Sequence, residues 1–118
     1  MNTEFVYVSE QSTREEVLHW MRNQELNLEQ LDTIVIIDKD TNYCGTVPVA
    51  RMLLAAPEQR MSELKTEPLI SVTPDASEKD VFELFDKYNL RMLTVIDDAH
   101  HPVGTVTVDD VVSRLVNA

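Results

Sequence analysis

The chain has 118 residues and a mass of 13.5 kDa, and 43% of its residues are hydrophobic and 26% charged. These values fit one folded domain or two small repeats with a shared core. The formal net charge of −11 argues against nucleic acid and anionic lipid as partners, because both need a basic surface, and it is compatible with cations or with simple solubility. No apolar run approaches the roughly 20 residues of a membrane helix, so this chain itself is not expected to enter a membrane.

The sequence contains two copies of one pattern. Its two glycines, Gly45 and Gly104, lie 59 positions apart and open the segments Gly-Thr-Val-Pro-Val and Gly-Thr-Val-Thr-Val. Upstream of them, the corresponding segments are 64 positions apart, so the first copy carries a five-residue insertion within residues 23–32. The pattern therefore predicts a first repeat at residues 1–59 and a second at residues 60–118.

Each copy predicts the order strand, helix, strand, strand, helix. The first copy has a strand at 5–8, a helix opened by the capping box Thr13-x-x-Glu16, a β-branched strand at 33–37, a hairpin turn from Asp38, the glycine strand and a closing helix at 52–54. In the second copy, the first strand is at 69–72 and the helix begins at the capping box Ser77-x-x-Asp80. The β-branched strand is at 92–96, the hairpin turn begins at Asp97 and the closing helix is at 111–115. His19 and Trp20 are expected to form a partly buried face of the first helix.

Catalysis is not expected. Two glycines cannot build a phosphate-binding loop, and no nucleophile stands in a recognisable order with a His and an acid. His100 and His101 are expected at a solvated turn, because adjacent side chains there point in different directions. Cys44 is expected to be a small hydrophobic residue, and a single cysteine, which fits a reducing cytosol, forms neither an internal disulfide nor a cysteine zinc cluster. The acidic N-terminus does not resemble a signal peptide.

The most informative segment is Thr107-Val108-Asp109-Asp110, where a strand is predicted to pass into a helix. A helix N-terminus offers backbone amides and positive potential to a phosphate. A carboxylate one turn into the helix can accept hydrogen bonds from two ribose hydroxyls. The same spacing is that of a capping box, which forms whether or not a ligand binds. From the residues alone, both interpretations stay open.

These motifs resemble those of a tandem pair of cystathionine-β-synthase (CBS) domains, a Bateman module. The family pattern is an apolar strand ending in Asp, a short hairpin and then Gly-apolar-apolar-Ser/Thr-x-x-Asp, and the second copy shows it from Leu93 to Asp110. The resemblance implies an α+β fold of two βαββα repeats packed with pseudo-two-fold symmetry, with clefts for adenine nucleotides such as ATP or AMP. In the implied nucleotide site, the adenine pocket is formed by Ile70, Ser71, Leu93 and Thr94. The ribose-phosphate side is formed by Thr107 and Asp110.

The first copy departs from this pattern at two positions. Pro48 stands in the Ser/Thr position and has neither a hydroxyl nor an amide hydrogen to offer, although it suits the first turn of a helix. Arg51 stands in the Asp position and can only donate hydrogen bonds, for example to a phosphate. Nucleotide binding is therefore expected in the second cleft, and weaker or absent binding in the first.

A narrower resemblance is to MgtE-type magnesium transporters, and it rests on residues 3–6, 53–58, 61–64, 88–90 and 104–112. It implies a cytosolic regulatory module of a plasma (inner) membrane protein that gates transport in response to Mg²⁺, with an adenine nucleotide as a second candidate ligand. The implied partners are a second copy of the chain, in a homodimer, and the transmembrane and acidic N-terminal domains of the parent transporter.

The implied Mg²⁺ ligands are Asp109 and Asp110, so Asp110 is claimed by both metal and nucleotide. Two carboxylates supply few of the six oxygens that Mg²⁺ takes, so binding by this chain alone is expected to be weak. Diffuse ion screening of an acidic face is the alternative. Two other functions stay open at this stage: an adenine-nucleotide sensor in another protein, and a dimerisation module with empty clefts.

Overall fold

The computed structural model describes residues 1–27, 31–66 and 69–117, with side chains as far as Ser113. Within these ranges the chain forms six strands and five helices in two compact units. The first-repeat unit is Val6–Leu69, and the second-repeat unit is Ile70–Ala118 together with Met1–Phe5. The α+β class and the predicted element order of both copies are confirmed.

The sheets of the two units have the same topology. The first-repeat unit contains β1 (Tyr7–Ser9), α1 (Arg14–Arg22), β2 (Thr33–Ile37), β3 (Tyr43–Pro48), α2 (Val49–Leu54) and α3 (Met61–Leu64). The second-repeat unit contains β4 (Ser71–Val72), α4 (Glu78–Tyr88), β5 (Met92–Ile96), β6 (Pro102–Thr107) and α5 (Val108–Asn117). Each sheet pairs its first strand parallel to its second and its second antiparallel to its third, in the orders β1-β2-β3 and β4-β5-β6.

The hairpin turns repeat at the level of single hydrogen bonds. Asp38 Oδ1 accepts from the amides two and four residues ahead at 2.8 and 3.0 Å, and Asp97 Oδ1 does the same at 2.9 Å for both. Three residues after each Asp, Thr41 and His100 have φ values of 62° and 66°. The predicted turns are therefore confirmed, and the aspartates hold them by bonding their own downstream backbone.

The helices α1 and α4 begin where the sequence predicts. Thr13 Oγ1 accepts from the Glu16 amide at 3.2 Å while Glu16 Oε1 accepts from the Thr13 amide at 3.0 Å, which is a complete capping box. These bonds, led by the one from the Thr13 backbone, lower the pKa of Glu16 from its ordinary value of 4.5. Ser77 caps α4 by accepting from the Asp80 amide at 3.1 Å.

One expectation for α1 is wrong. His19 is exposed and Trp20 is 41% exposed, so they do not form a partly buried face. The helix has one apolar stripe, which passes through the buried Val17 and the half-buried Leu18 and Met21. Residues 19 and 20 fall outside this stripe, because a period of 3.6 turns them toward solvent.

Each unit has its own apolar core between its sheet and its helices. The first core consists of Val6, Val17, Ile34, Ile36, Val47, Met52, Met61 and Leu64. The second consists of Val72, Val81, Phe85, Leu93, Val95 and Val111. The β-branched strand runs supply the centre of both cores, as expected for short strands that are largely buried.

The segment ahead of the first strand of each copy, here called its lead-in, pairs with the last strand of the other copy. Asn2 lies ahead of β1 but pairs with Thr105 in β6, where the two residues exchange N–H···O bonds of 2.8 Å. Thr66 lies ahead of β4 but donates its amide to the carbonyl of Thr46 in β3 at 3.0 Å. The two pairs are related by the offsets of 64 and 59 that relate the copies, so each lead-in adds backbone pairing to the last strand of the other copy.

The two glycines lie where these lead-ins pass. A Cβ at Gly45 would lie 2.8 Å from Lys65 Cδ, and one at Gly104 would lie 2.5 Å from Met1 Cγ. Glycine is therefore placed at both positions by the close approach of a neighbouring segment.

The helix α3 was not predicted from the sequence. It lies in the second half of the chain as divided at residue 60, yet it packs in the first-repeat unit, where Met61 and Leu64 are 0% and 7% exposed. The compact units change over after Leu69 rather than after Gln59. The division at residues 59 and 60 remains a prediction about the sequence repeat.

Candidate functional site

The start of α5 is a reciprocal cap. The Asp110 amide donates to Thr107 Oγ1 at 3.3 Å, and Asp110 Oδ2 accepts from the Thr107 amide at 3.4 Å. The structure thus contains the capping box that the spacing allowed. It occupies one oxygen of the Asp110 carboxylate, and the side chain remains exposed beside that of Asp109.

The amides at this helix start are largely engaged. The Val108 amide donates to the Arg91 carbonyl at 2.9 Å, and the Asp110 amide donates to Thr107. Two of the first three amides therefore already have acceptors. Asp109 and Asp110 also place two negative charges in the first turn. A phosphate at this terminus would find two of the amide donors already bonded, and the two carboxylates would repel it. The expected anion-binding role of the helix start is therefore weakened.

The predicted adenine-pocket residues lie on neighbouring strands. Ser71 in β4 is the Cα partner of Thr94 in β5. Leu93 belongs to the second core, and Ile70 packs against that core. Leu93 and Thr94 are each 1% exposed. Because successive strand residues face opposite sides, Thr94 lies on the sheet face opposite to Leu93.

Thr94 carries an unusual polar atom. Its Oγ1 is buried and, within the described part of the chain, has no hydrogen-bond partner. Burying an unpaired hydroxyl costs about 1–3 kcal/mol. Thr94 is therefore a position where a polar ligand atom or a change to an apolar side chain would gain free energy.

A pocket of about 190 Å³ lies in the second-repeat unit. It is lined by Met1, Val72, Thr73, Pro74, Ala76, Glu78, Val81, Val95, Val106, Asp110 and Val111. Of the six predicted nucleotide-site residues, Asp110 alone lines it. The sequence carried one signal for this pocket: the second copy has Val95 and Val111 where the first has the larger Ile36 and Met52.

The departures in the first copy have structural roles. Pro48 is the N-cap of α2, with no side-chain cap bond, as expected from its missing hydroxyl. Arg51 Nη1 donates to the Leu64 carbonyl at 3.3 Å, at the end of α3. The guanidinium thus holds a neighbouring segment of its own unit.

The predicted metal ligands Asp109 and Asp110 are consecutive and exposed. Among the described residues, no group of three or more His, Cys, Asp or Glu side chains is arranged to hold a metal ion. Mg²⁺ takes six oxygens, so any ion at this pair would need water or a neighbouring domain for most of its ligands.

Neither Cys44 nor the adjacent histidines, His100 and His101, line this pocket. Burial is the main cause that raises the pKa of the Cys44 thiol to about 11, although the charge of Lys65 lowers it. Cys44 Sγ donates to the Ile36 carbonyl at 3.4 Å and packs against the first core, as a small hydrophobic residue does. His100 lies at the exposed turn, and His101 Nδ1 lies 3.9 Å from Asp97 Oδ2.

Comparisons with known proteins agree with the fold. The CBS domain family model matches residues 61–117. The magnesium transporter MgtE of Thermus thermophilus is 31% identical over 115 residues, which are 98% of this chain and 26% of that protein. The chain spans about a quarter of the length of the curated relatives it matches.

Two solved structures extend this similarity. A crystal structure of the cytosolic domain of the Mg²⁺ channel MgtE in complex with ATP is 30% identical, has a TM-score of 0.87, and matches 95% of this chain and 45% of its own. The soluble part of a magnesium transporter is 23% identical, also with a TM-score of 0.87, and matches 98% of this chain and 45% of its own. At that identity the second structure supports the fold alone.

Proposed function

The chain belongs to the CBS-domain family as a tandem CBS pair, and we propose that it is the regulatory CBS module of an MgtE-type magnesium transporter or channel. The observation that carries the proposal is the similarity of 95% of the chain, at a TM-score of 0.87, to the MgtE cytosolic domain. On this proposal the module works in the cytoplasm beneath the inner membrane, has no catalytic role and gates transport through ligand binding.

The proposed partners in the parent protein are its transmembrane domain and an acidic N-terminal domain. Within the described ranges, no helix combines the length and the apolar character needed to cross a bilayer. The decisive experiment reconstitutes the parent protein in liposomes and measures Mg²⁺ flux with and without residues 1–118. Flux that loses its dependence on internal Mg²⁺ after the deletion supports regulation by this module, and unchanged dependence refutes it.

The first proposed ligand is an adenine nucleotide in the second-repeat unit, with Asp110 at the ribose hydroxyls. The MgtE structure in complex with ATP and the unpaired hydroxyl of buried Thr94 support it. Loss of a ribose acceptor is expected to cost about 1–3 kcal/mol, which is roughly a 5- to 150-fold weaker affinity. Isothermal calorimetry with ATP, ADP and AMP on Asp110→Asn measures this directly.

The control for this experiment is Glu16→Gln. It alters the acid at the third position of the capping box of α1, so it perturbs a helix cap of the same kind without touching the proposed site. Weaker binding in Asp110→Asn with unchanged binding in Glu16→Gln supports the assignment. Equal affinities in both variants and the wild type would place the nucleotide elsewhere.

The second proposed ligand is Mg²⁺ at Asp109 and Asp110, completed by domains of the parent protein. The net charge of −11 supports it, because like charges in the module repel one another until a cation screens them. Thermal unfolding in MgCl₂ and in NaCl at matched ionic strength separates a site from diffuse screening. Extra stabilisation by Mg²⁺ that disappears in an Asp109→Ala/Asp110→Ala double variant indicates a site, and identical curves in the two salts refute one in this chain.

A homodimer through the helices is proposed as the functional form. Large apolar side chains are exposed on helices of both units: Leu53 at 51%, Leu54 at 90%, Phe82 at 42% and Val112 at 46%. A dimer that pairs these helices would bury such side chains, and burial of apolar surface favours association. Light scattering is expected to give a dimer that Leu54→Glu or Phe82→Glu converts to a monomer. A wild-type monomer at high concentration contradicts the proposal.

A further inference from the structure

The two copies carry opposite charges at one position of their closing helices. Arg51 in α2 corresponds to Asp110 in α5 at the offset of 59 that relates the copies, and Pro48 corresponds to Thr107 in the same way. At the start of α5, Thr107 and Asp110 cap each other. At the start of α2, Pro48 makes no side-chain cap bond and Arg51 donates to another segment of the unit. The same position of the repeat thus holds an acceptor in one unit and a donor in the other.

The Arg51 side chain ties a separate segment of the chain to the start of α2. This segment is residues 64–66, here called the strap. Arg51 Nη1 donates to the Leu64 carbonyl at 3.3 Å, and the Thr66 amide donates to the Thr46 carbonyl at 3.0 Å. The hydroxyls of Thr46 and Thr66 also lie 3.1 Å apart. The strap is therefore bonded both to the strand that precedes α2 and to the helix itself.

The buried part of the implied nucleotide site has apolar counterparts in the first copy. Ile34 and Val35 correspond to Leu93 and Thr94, and each is 0% exposed. What the first copy lacks is the hydroxyl and the carboxylate at the helix start. The guanidinium of Arg51 cannot accept hydrogen bonds from ribose hydroxyls, and it already donates to the strap.

Given the nucleotide site proposed above at Asp110, we propose that Arg51 is an internal strut that takes the place of a ligand in the first-repeat unit. This unit is closed to nucleotides, and the chain takes one nucleotide, in the second-repeat unit. A guanidinium that is covalently part of α2 holds the strap without the loss of translational and rotational freedom that binding from solution costs. The first-repeat unit consequently stays closed at every nucleotide concentration, and the second-repeat unit alone responds to it.

The strut is tested first without nucleotide, by amide hydrogen exchange in Arg51→Ala. Loss of one hydrogen bond to the strap is expected to speed exchange of the Thr66 amide roughly 5-fold. The matched control is Arg22→Ala, which removes the same charge from α1 of the same unit. Unchanged exchange of the Thr66 amide in Arg51→Ala, or an equal increase in the control, overturns the strut.

Isothermal calorimetry with ATP then tests whether the first-repeat unit is closed. The wild-type chain is expected to bind one ATP. The double variant Pro48→Thr/Arg51→Asp is expected to bind two, because it supplies the hydroxyl and the carboxylate of the second copy. Arg51→Ala removes the strut without supplying an acceptor and is expected to keep a stoichiometry of one. Two ATP molecules per wild-type chain, or one per chain in a double variant that circular dichroism shows to be folded, overturn the proposal.

These outcomes separate the strut from the nucleotide site on which it depends. A wild-type chain that binds no nucleotide refutes the site at Asp110, and the double variant then decides on the strut: one bound ATP supports it and none overturns it. A single ATP whose affinity falls in Arg51→Ala and is unchanged in Asp110→Asn would place the nucleotide in the first-repeat unit and refute both.

Discussion

The exchanged lead-ins make a quantitative prediction about the two glycines. In Gly45→Ala, the new Cβ would lie 2.8 Å from Lys65 Cδ, 3.2 Å from Cγ and 3.3 Å from Cβ, and Gly45 has a φ of +154°, which side-chain-bearing residues rarely adopt. Backbone strain of this kind costs about 1–2 kcal/mol. Lys65 must also move and loses its 3.7 Å ion pair with Glu10, which is worth less than about 1 kcal/mol because both side chains are partly exposed. The expected total is about 2 kcal/mol.

Gly104→Ala is the matched control, because it alters the equivalent position in the other unit. Its Cβ would meet mainly the Met1 side chain, which is 54% exposed and can move aside, and the Asn2 carbonyl at 3.0 Å. Its expected cost is about 1 kcal/mol or less.

Urea unfolding followed by circular dichroism measures both substitutions, with an unchanged slope expected. In a Lys65→Ala background the cost of Gly45→Ala is expected to fall by about half, since the contacts beyond Cβ are removed. A Gly104→Ala variant that is as unstable as Gly45→Ala, or a cost that Lys65→Ala leaves unchanged, would refute the reasoning.

Three smaller predictions concern single side chains. Without nucleotide, Thr94→Val is expected to leave the free energy of unfolding unchanged or to raise it by about 1 kcal/mol, because an unpaired buried hydroxyl is removed. The control Thr46→Val breaks the 3.1 Å hydrogen bond to Thr66 and is expected to lower the free energy of unfolding in the same urea assay. Cys44, with a pKa of about 11, has only about one thiol in a thousand ionised at pH 8, so iodoacetamide is expected to label the folded protein far more slowly than the unfolded one, and equal rates would contradict the burial. The folded pKa of Glu16 is lowered below 4.5, so its contribution to stability is present above that pH and is lost as pH falls through the folded value. The difference in stability between wild type and Glu16→Gln is therefore expected to shrink as pH falls below 4.5, and a constant difference would count against the cap.

Some features of the candidate site could be predicted from the sequence, and others could not. The Thr107/Asp110 cap follows from a local four-residue spacing, and the structure contains it. The engagement of the Val108 amide by Arg91 could not be predicted, because it joins two segments through the register of β5 and β6. The role of Arg51 was missed for a related reason: its acceptor, the Leu64 carbonyl, belongs to a helix that sequence patterns did not reveal.

The amino-acid sequence by itself determined the duplicated βαββα pattern, the helix starts at Thr13 and Ser77, and the turns at Asp38 and Asp97. These features depend on hydrogen bonds within about four residues and on the periodicity of apolar side chains, which are visible in a linear sequence. Tertiary structure alone decided the exchange of lead-in segments, the one-sided placement of α3 and the pocket in the second-repeat unit. Those features join residues tens of positions apart, such as Asn2 with Thr105, and depend on how side-chain volumes such as Val95 against Ile36 fill a core.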